Sequence, residues 1–144
     1  MLLFLIILLT PFSLISPQFT HTTNISLHEI LSDRELERYN RKPKYQDRID
    51  LFRKVFEDRT FQIKAHVDKS EMDKVTKLLH HLDGLSHYAA RESSQAQNEK
   101  SLRSRQVKKL EIQLRKLVET LDEMATTVPY EHQEQFAATS QSLE

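Results

Sequence analysis

The stretch Val107–Val128, VKKLEIQLRKLVETLDEMATTV, decides the fold. Val107, Leu110, Leu114, Leu117, Leu121, Met124 and Val128 follow one another at alternating intervals of three and four. An α-helix turns once in about 3.6 residues, so this spacing lines all seven side chains along one narrow seam. A seam sustained over three heptads is the pattern of helices that pack side by side, as in a coiled coil.

Working backwards, two more blocks carry the same kind of stripe. Met72, Val75, Leu79, Leu82, Ser86 and Ala89 keep the three-four rhythm, with Leu78 and Leu85 widening it. Ser70 stands three residues before Asp73 and reads as the N-cap of this block. Tyr45, Ile49, Phe52, Phe56, Ile63 and Val67 form a third stripe, and Arg59 occupies its missing slot. A charged residue there either fixes register through an ion pair or lies at the rim, stem packed and head in water. The rim is the expected placement, for Arg59 and for Arg48 and His66 near the same edge. Phe61 points away from this stripe and, with Leu51 near it, marks a candidate partner surface.

The whole chain has a single glycine, Gly84, and beyond residue 26 only Pro43 and Pro129 interrupt it. That scarcity argues against a turn-rich β fold. The spacing leaves open whether Gly84 kinks its block or ends it. Ser26 and Ser32 each precede a glutamate by three, the capping-box arrangement, and predict a short helix over 33–41 that stops before Pro43. Pro129 either stops the long seam or opens a last helix in which Phe136 and Leu143 are the apolar positions. The expected architecture is all-α: an elongated antiparallel bundle of about three long helices. Its divisions are residues 1–22, an export segment; 23–43, a polar leader and short helix; 44–128, the three-helix bundle; and 129–144, a C-terminal helical segment. Leu143 remains in phase at the end with no C-cap signal, which suggests that the natural chain continues or that this end pairs with something.

The first residues, MLLFLIILLTPFSLISPQ, are apolar without a break from Leu2 to Leu9. A membrane-crossing helix needs about 20 such residues, and this diluted run is shorter. It fits the ~7–15-residue core of a cleaved signal peptide, with a short uncleaved anchor as the alternative. Export to the periplasm or outside the cell is the expectation.

The 21 basic residues match the 21 acidic ones, all of them beyond Thr20, so bulk charge suggests no nucleic-acid partner. Cysteine is absent, which excludes disulfides, thiolate catalysis and Cys-based zinc sites. No nucleophile elbow, metalloprotease motif, phosphate loop or dinucleotide fingerprint occurs. Carboxylate pairs such as Glu35/Glu37 and Asp122/Glu123 stand among neighbouring bases and read as solvated faces. No enzymatic activity and no cofactor is expected.

Two surface constellations remain. His80, Asp83 and His87 lie three and four apart, a vertical stripe able to offer ligands to a divalent transition metal or to sense pH. At about 100° per residue it falls opposite the Val75–Leu82 seam, in water. Arg105, Lys108, Lys109, Arg115 and Lys116 cover the outer face of the last long block, a candidate surface for anionic membrane or cell-wall polymer. Glu111 and Glu119 stand four residues from Arg115 and are the expected neutralising partners. The reading that joins these observations is a non-catalytic exported protein that acts by contact with another protein or by dimerising. Metal or pH sensing and binding to an anionic surface are its alternatives. Membrane contact would come through the N-terminal segment or weakly through the basic face.

Overall fold

The computed structural model describes residues 25–98 and 105–144. The export segment expected over 1–22 lies outside these residues. The described chain is all-helical, and its six helices pack together: α1 (Leu27–Ile30), α2 (Asp33–Asn40), α3 (Tyr45–Asp68), α4 (Met72–Asn98), α5 (Arg105–Ala125) and α6 (Tyr130–Leu143).

The bundle has four long members where three were expected. α3 packs against α4 and α5, and α6 packs against the same two, closing a ring in the order α3–α4–α6–α5. Pro129 caps α6, which buries Phe136 and Leu143 at the predicted positions together with Thr139 and Ser140. The hydroxyl of Ser140 donates to Asp122 Oδ1 at 2.9 Å, and Thr76 Oγ1 donates to Gln135 Oε1 at 2.7 Å. A segment of only two clear apolar positions thus docks with polar help, which is why its pattern was faint.

The seam of α5 is buried as read at Val107, Leu110, Leu117, Leu121 and Met124, with Leu114 only half-buried. The turn between α3 and α4 differs from the prediction. Ser70 is not an N-cap but takes a left-handed φ of 57°. Its N–H donates to the Val67 carbonyl and the N–H of Glu71 to that of His66, both at 2.9 Å. This is a Schellman closure of α3, with serine in the position where glycine is usual.

Both capping boxes form, at Ser26–Glu29 and Ser32–Glu35. Ile30 and Leu31 are buried in the core, and Ile25 packs against it. Gly84 neither ends nor breaks α4. A Cβ there would stand 2.7 Å from Ile30 Cδ1 and 3.3 Å from Ile25 Cδ1. The missing side chain lets α1 cross closely over α4.

Arg59 also departs from its expected place. It is buried, at 8% exposure, not held at the rim. Nη2 donates to the Ile30 carbonyl at 3.2 Å and to Glu35 Oε2 at 2.7 Å, while Nη1 reaches Asp58 Oδ2 at 2.6 Å. The slot left open in the α3 stripe is covered by the chain from α1 to α2, and a planar cation with several donors satisfies the acceptors which that covering brings. A second buried charge, Glu92, was not expected from the sequence. Glu92, 1% exposed, accepts from the Tyr39 hydroxyl at 2.6 Å and from Arg48 Nη1 at 3.4 Å. Arg48 also lies over the rings of Tyr39 and Tyr45, 5.0 and 5.8 Å from their centroids. The spacing Ala89–Glu92–Ala96 continues the α4 stripe and was the available signal for that burial.

Candidate functional site

With the seams closed inside the bundle, the large apolar side chains left in water are Phe61, Ile112 and Tyr130 among the described residues. Two of them share one site. Phe61 of α3, 73% exposed, and Ile112 of α5, 55% exposed, line a groove of about 630 Å³ between these helices. Leu117 and Met124, themselves buried, contribute to its floor. Both exposed residues lie on faces turned from the helix seams, so no apolar stripe announces them. Of the candidate partner surface, Phe61 is exposed but Leu51 is buried in the core; Ile112 gave no signal because it lies off the seam, between Glu111 and Gln113.

The groove has a charged rim. Arg53, Lys64, Lys109 and Lys116 line it, against one carboxylate, Glu57. Arg53 pairs with Asp50 at 3.2 Å, and its carbonyl accepts from Gln113 Nε2 at 2.8 Å, a bond that ties α3 to α5 beside the groove. No ion pair engages Lys64, Lys109 or Lys116 among the described residues. The pairs expected between Arg115 and Glu111 or Glu119 are likewise not formed among the described residues. Of the five basic residues singled out on this helix, Lys109 and Lys116 face the groove, whereas Arg105, Lys108 and Arg115 are exposed without lining it. The groove is thus an apolar cleft whose rim carries three lysines outside any ion pair among the described residues.

A second depression, about 390 Å³, lies where the α1–α2 connection meets α3 and α4. Arg59, His66, Lys74, Lys77 and His81 converge there. Their charge is largely matched: Arg59 by Glu35 and Asp58, and Lys74 and His66 by Glu71. It is a paired cluster that fastens the corner of the bundle. The predicted histidine stripe lies beside it on α4. His80 and His87 are exposed, Asp83 is half-buried, and His87 Nε2 stands 4.0 Å from Asp83 Oδ1. Among the described residues, no three His, Cys, Asp or Glu side chains are grouped to hold a metal ion. The histidine drawn inward is His81, whose Nδ1 is buried without a hydrogen-bond partner.

The corner cluster gives stability a defined pH dependence. Burial, reinforced by the cations Arg59, Lys77 and His80 and opposed by Glu29, holds the His81 imidazole below its ordinary 6.5. The unfolded chain takes up that proton first, so stability falls as pH drops below about 6.5. Hydrogen bonds from Lys74 and then His66 hold the Glu71 carboxyl well below its ordinary 4.5, at about 2. Its contribution is complete above 4.5 and is lost as pH falls towards 2. Thermal melts across this range should show two acid steps. His81→Gln is expected to remove the upper one and Glu71→Gln to shrink the lower, to which Asp50, held below its ordinary 3.8 by its hydrogen bond from Lys54, also contributes; a flat profile between pH 7 and the lower step would contradict the assignment of His81.

Among the described residues, no helix is long and apolar enough to cross a membrane. Comparison of the chain with known protein families, with curated proteins and with solved structures found no match.

Proposed function

We propose that this chain is a non-catalytic, exported binding protein that works by contact with another protein through the α3–α5 face. One observation carries the reading: Phe61 and Ile112 flank a single groove on a bundle whose apolar seams are otherwise largely covered among the described residues. Exposed apolar side chains gathered at one cleft and rimmed by charge are the usual composition of a docking site. The absence of catalytic motifs from the sequence favours binding over chemistry, and the apolar opening run favours export.

A photoreactive residue at position 112, introduced into the full chain in cells that make it, tests the contact. Irradiation is expected to give an adduct of one defined mass. The same residue in place of Glu131, exposed on α6, should give none. An adduct of twice the chain's mass would identify self-association as the contact. Adducts at neither position, or at both alike, reject the α3–α5 face. Recovery of the intact chain from the cytosol alone rejects export.

A further inference from the structure

We infer that the occupant of the α3–α5 groove is an acidic amphipathic helix of another protein; this rests on the reading of that face as a contact surface. The groove offers two kinds of contact at once. Phe61 and Ile112 stand out of the surface as apolar ridges, and Lys64, Lys109 and Lys116 carry charge with no ion pair among the described residues. A ligand that satisfies both must bring an apolar stripe with carboxylates on its flanks.

Dimensions favour a helix. Lys109 and Lys116 are seven residues apart on α5, about 10 Å along the axis, and Arg53 and Lys64 are eleven apart on α3, about 16 Å. A helix of roughly three turns laid between α3 and α5 spans that length. It would seat side chains at i, i+3 or i+4 and i+7 against Phe61 and Ile112, the helix-in-groove mode of recognition. Asp or Glu on its flanks would then lie over the lysines of both walls.

Charge discriminates among other occupants. A second copy seated groove on groove would set Lys64, Lys109 and Lys116 against the same three cations, an unfavourable isologous contact. Residues 1–24 of this chain are apolar enough to enter but contain no Asp or Glu to meet the lysines. A single-chain anionic lipid would supply one negative charge where three cations wait. Arg105, Lys108 and Arg115, exposed beyond the groove, add positive charge to the first half of α5, against Glu111 there, and would speed the encounter with an acidic partner.

The test uses the full chain and three probes. The first is a fluorescent helical peptide with leucines at i, i+3, i+4 and i+7 flanked by glutamates. The second is the same peptide with lysines for the glutamates, and the third is vesicles of mixed neutral and anionic phospholipid. The glutamate peptide is expected to bind at least tenfold more tightly than the lysine peptide at low salt, with the gap narrowing as salt rises. Ile112→Asp should weaken its binding at least tenfold. Lys109→Glu with Lys116→Glu should reverse the preference between peptides, a gain that misfolding could not produce. Equal or tighter binding of the lysine peptide overturns the acidic helix. So does binding to vesicles, lost in Ile112→Asp, without binding to either peptide. If neither peptide binds while the crosslink at position 112 still forms a single adduct, the contact surface stands and this partner chemistry fails.

Discussion

Phe56→Ala is expected to lower the unfolding free energy by about 3–5 kcal/mol, whereas Phe61→Ala, five residues along the same helix, should change it by no more than about 0.5 kcal/mol. The residue type and the helix are the same; only the face differs. Phe56 is fully buried in the core that α3 shares with its neighbours. Its removal forfeits the transfer free energy of the ring and leaves a cavity that surrounding leucines can fill only in part. Measured against the ~5–15 kcal/mol typical of a domain, such a loss brings the bundle close to unfolding. For a chain of this size the melting midpoint should fall by roughly 10–20 °C. Phe61 gives up only surface already in water, and its deletion should register in partner binding and not in the melt. Equal shifts in the two variants would mean that the face assignment of α3 is wrong, and with it the groove.

Arg59→Met is expected to cost about 2–3 kcal/mol, towards the lower side of what breaking a buried ion pair usually costs. The reason lies in what stays behind. Glu35 keeps its capping bonds from Ser32, and Asp58 is half in water, so neither carboxylate is wholly stranded. The Ile30 carbonyl loses the bond from Nη2 in a buried setting. Arg59→Lys should recover only part of the loss, because one ammonium group cannot serve three acceptors on different elements. A double-mutant cycle of Arg59→Met with Glu35→Gln, followed by chemical denaturation, should show a coupling of about 1–2 kcal/mol. No coupling would mean that the pair is ornamental and that α1 and α2 are held by Ile30, Leu31 and the Gly84 crossing alone.

These two positions show how far the sequence could be read. The stripe Ile49–Phe52–Phe56–Ile63 was visible as a period, and burial followed it. Arg59 stood in the same stripe, but its fate depended on Ile30 and Glu35, 29 and 24 residues earlier in the chain. No local pattern records that distance. Glu92 is a similar case, since its partner Tyr39 is 53 residues away. The groove was legible by halves: Phe61 as an off-seam aromatic, Lys109 and Lys116 as part of a basic face, with nothing in the order of residues to bring them together. The histidines show the reverse error, for spacing drew attention to His80 and His87 while packing drew in His81.

By itself the sequence determined that this protein is helical, where α2, α3 and α5 lie to within a few residues, and which face of each long helix is buried. Those features follow from contacts within a turn or two: the 3.6-residue period, capping serines, and prolines that exclude helix. Only the tertiary structure decided that α6 completes a ring of four, that residues 25–40 belong to the body, and that a cationic cleft with apolar walls opens between α3 and α5. Such features depend on which helices become neighbours. That choice is made by the summed fit of many side chains remote in the chain, and no single stretch of residues contains it.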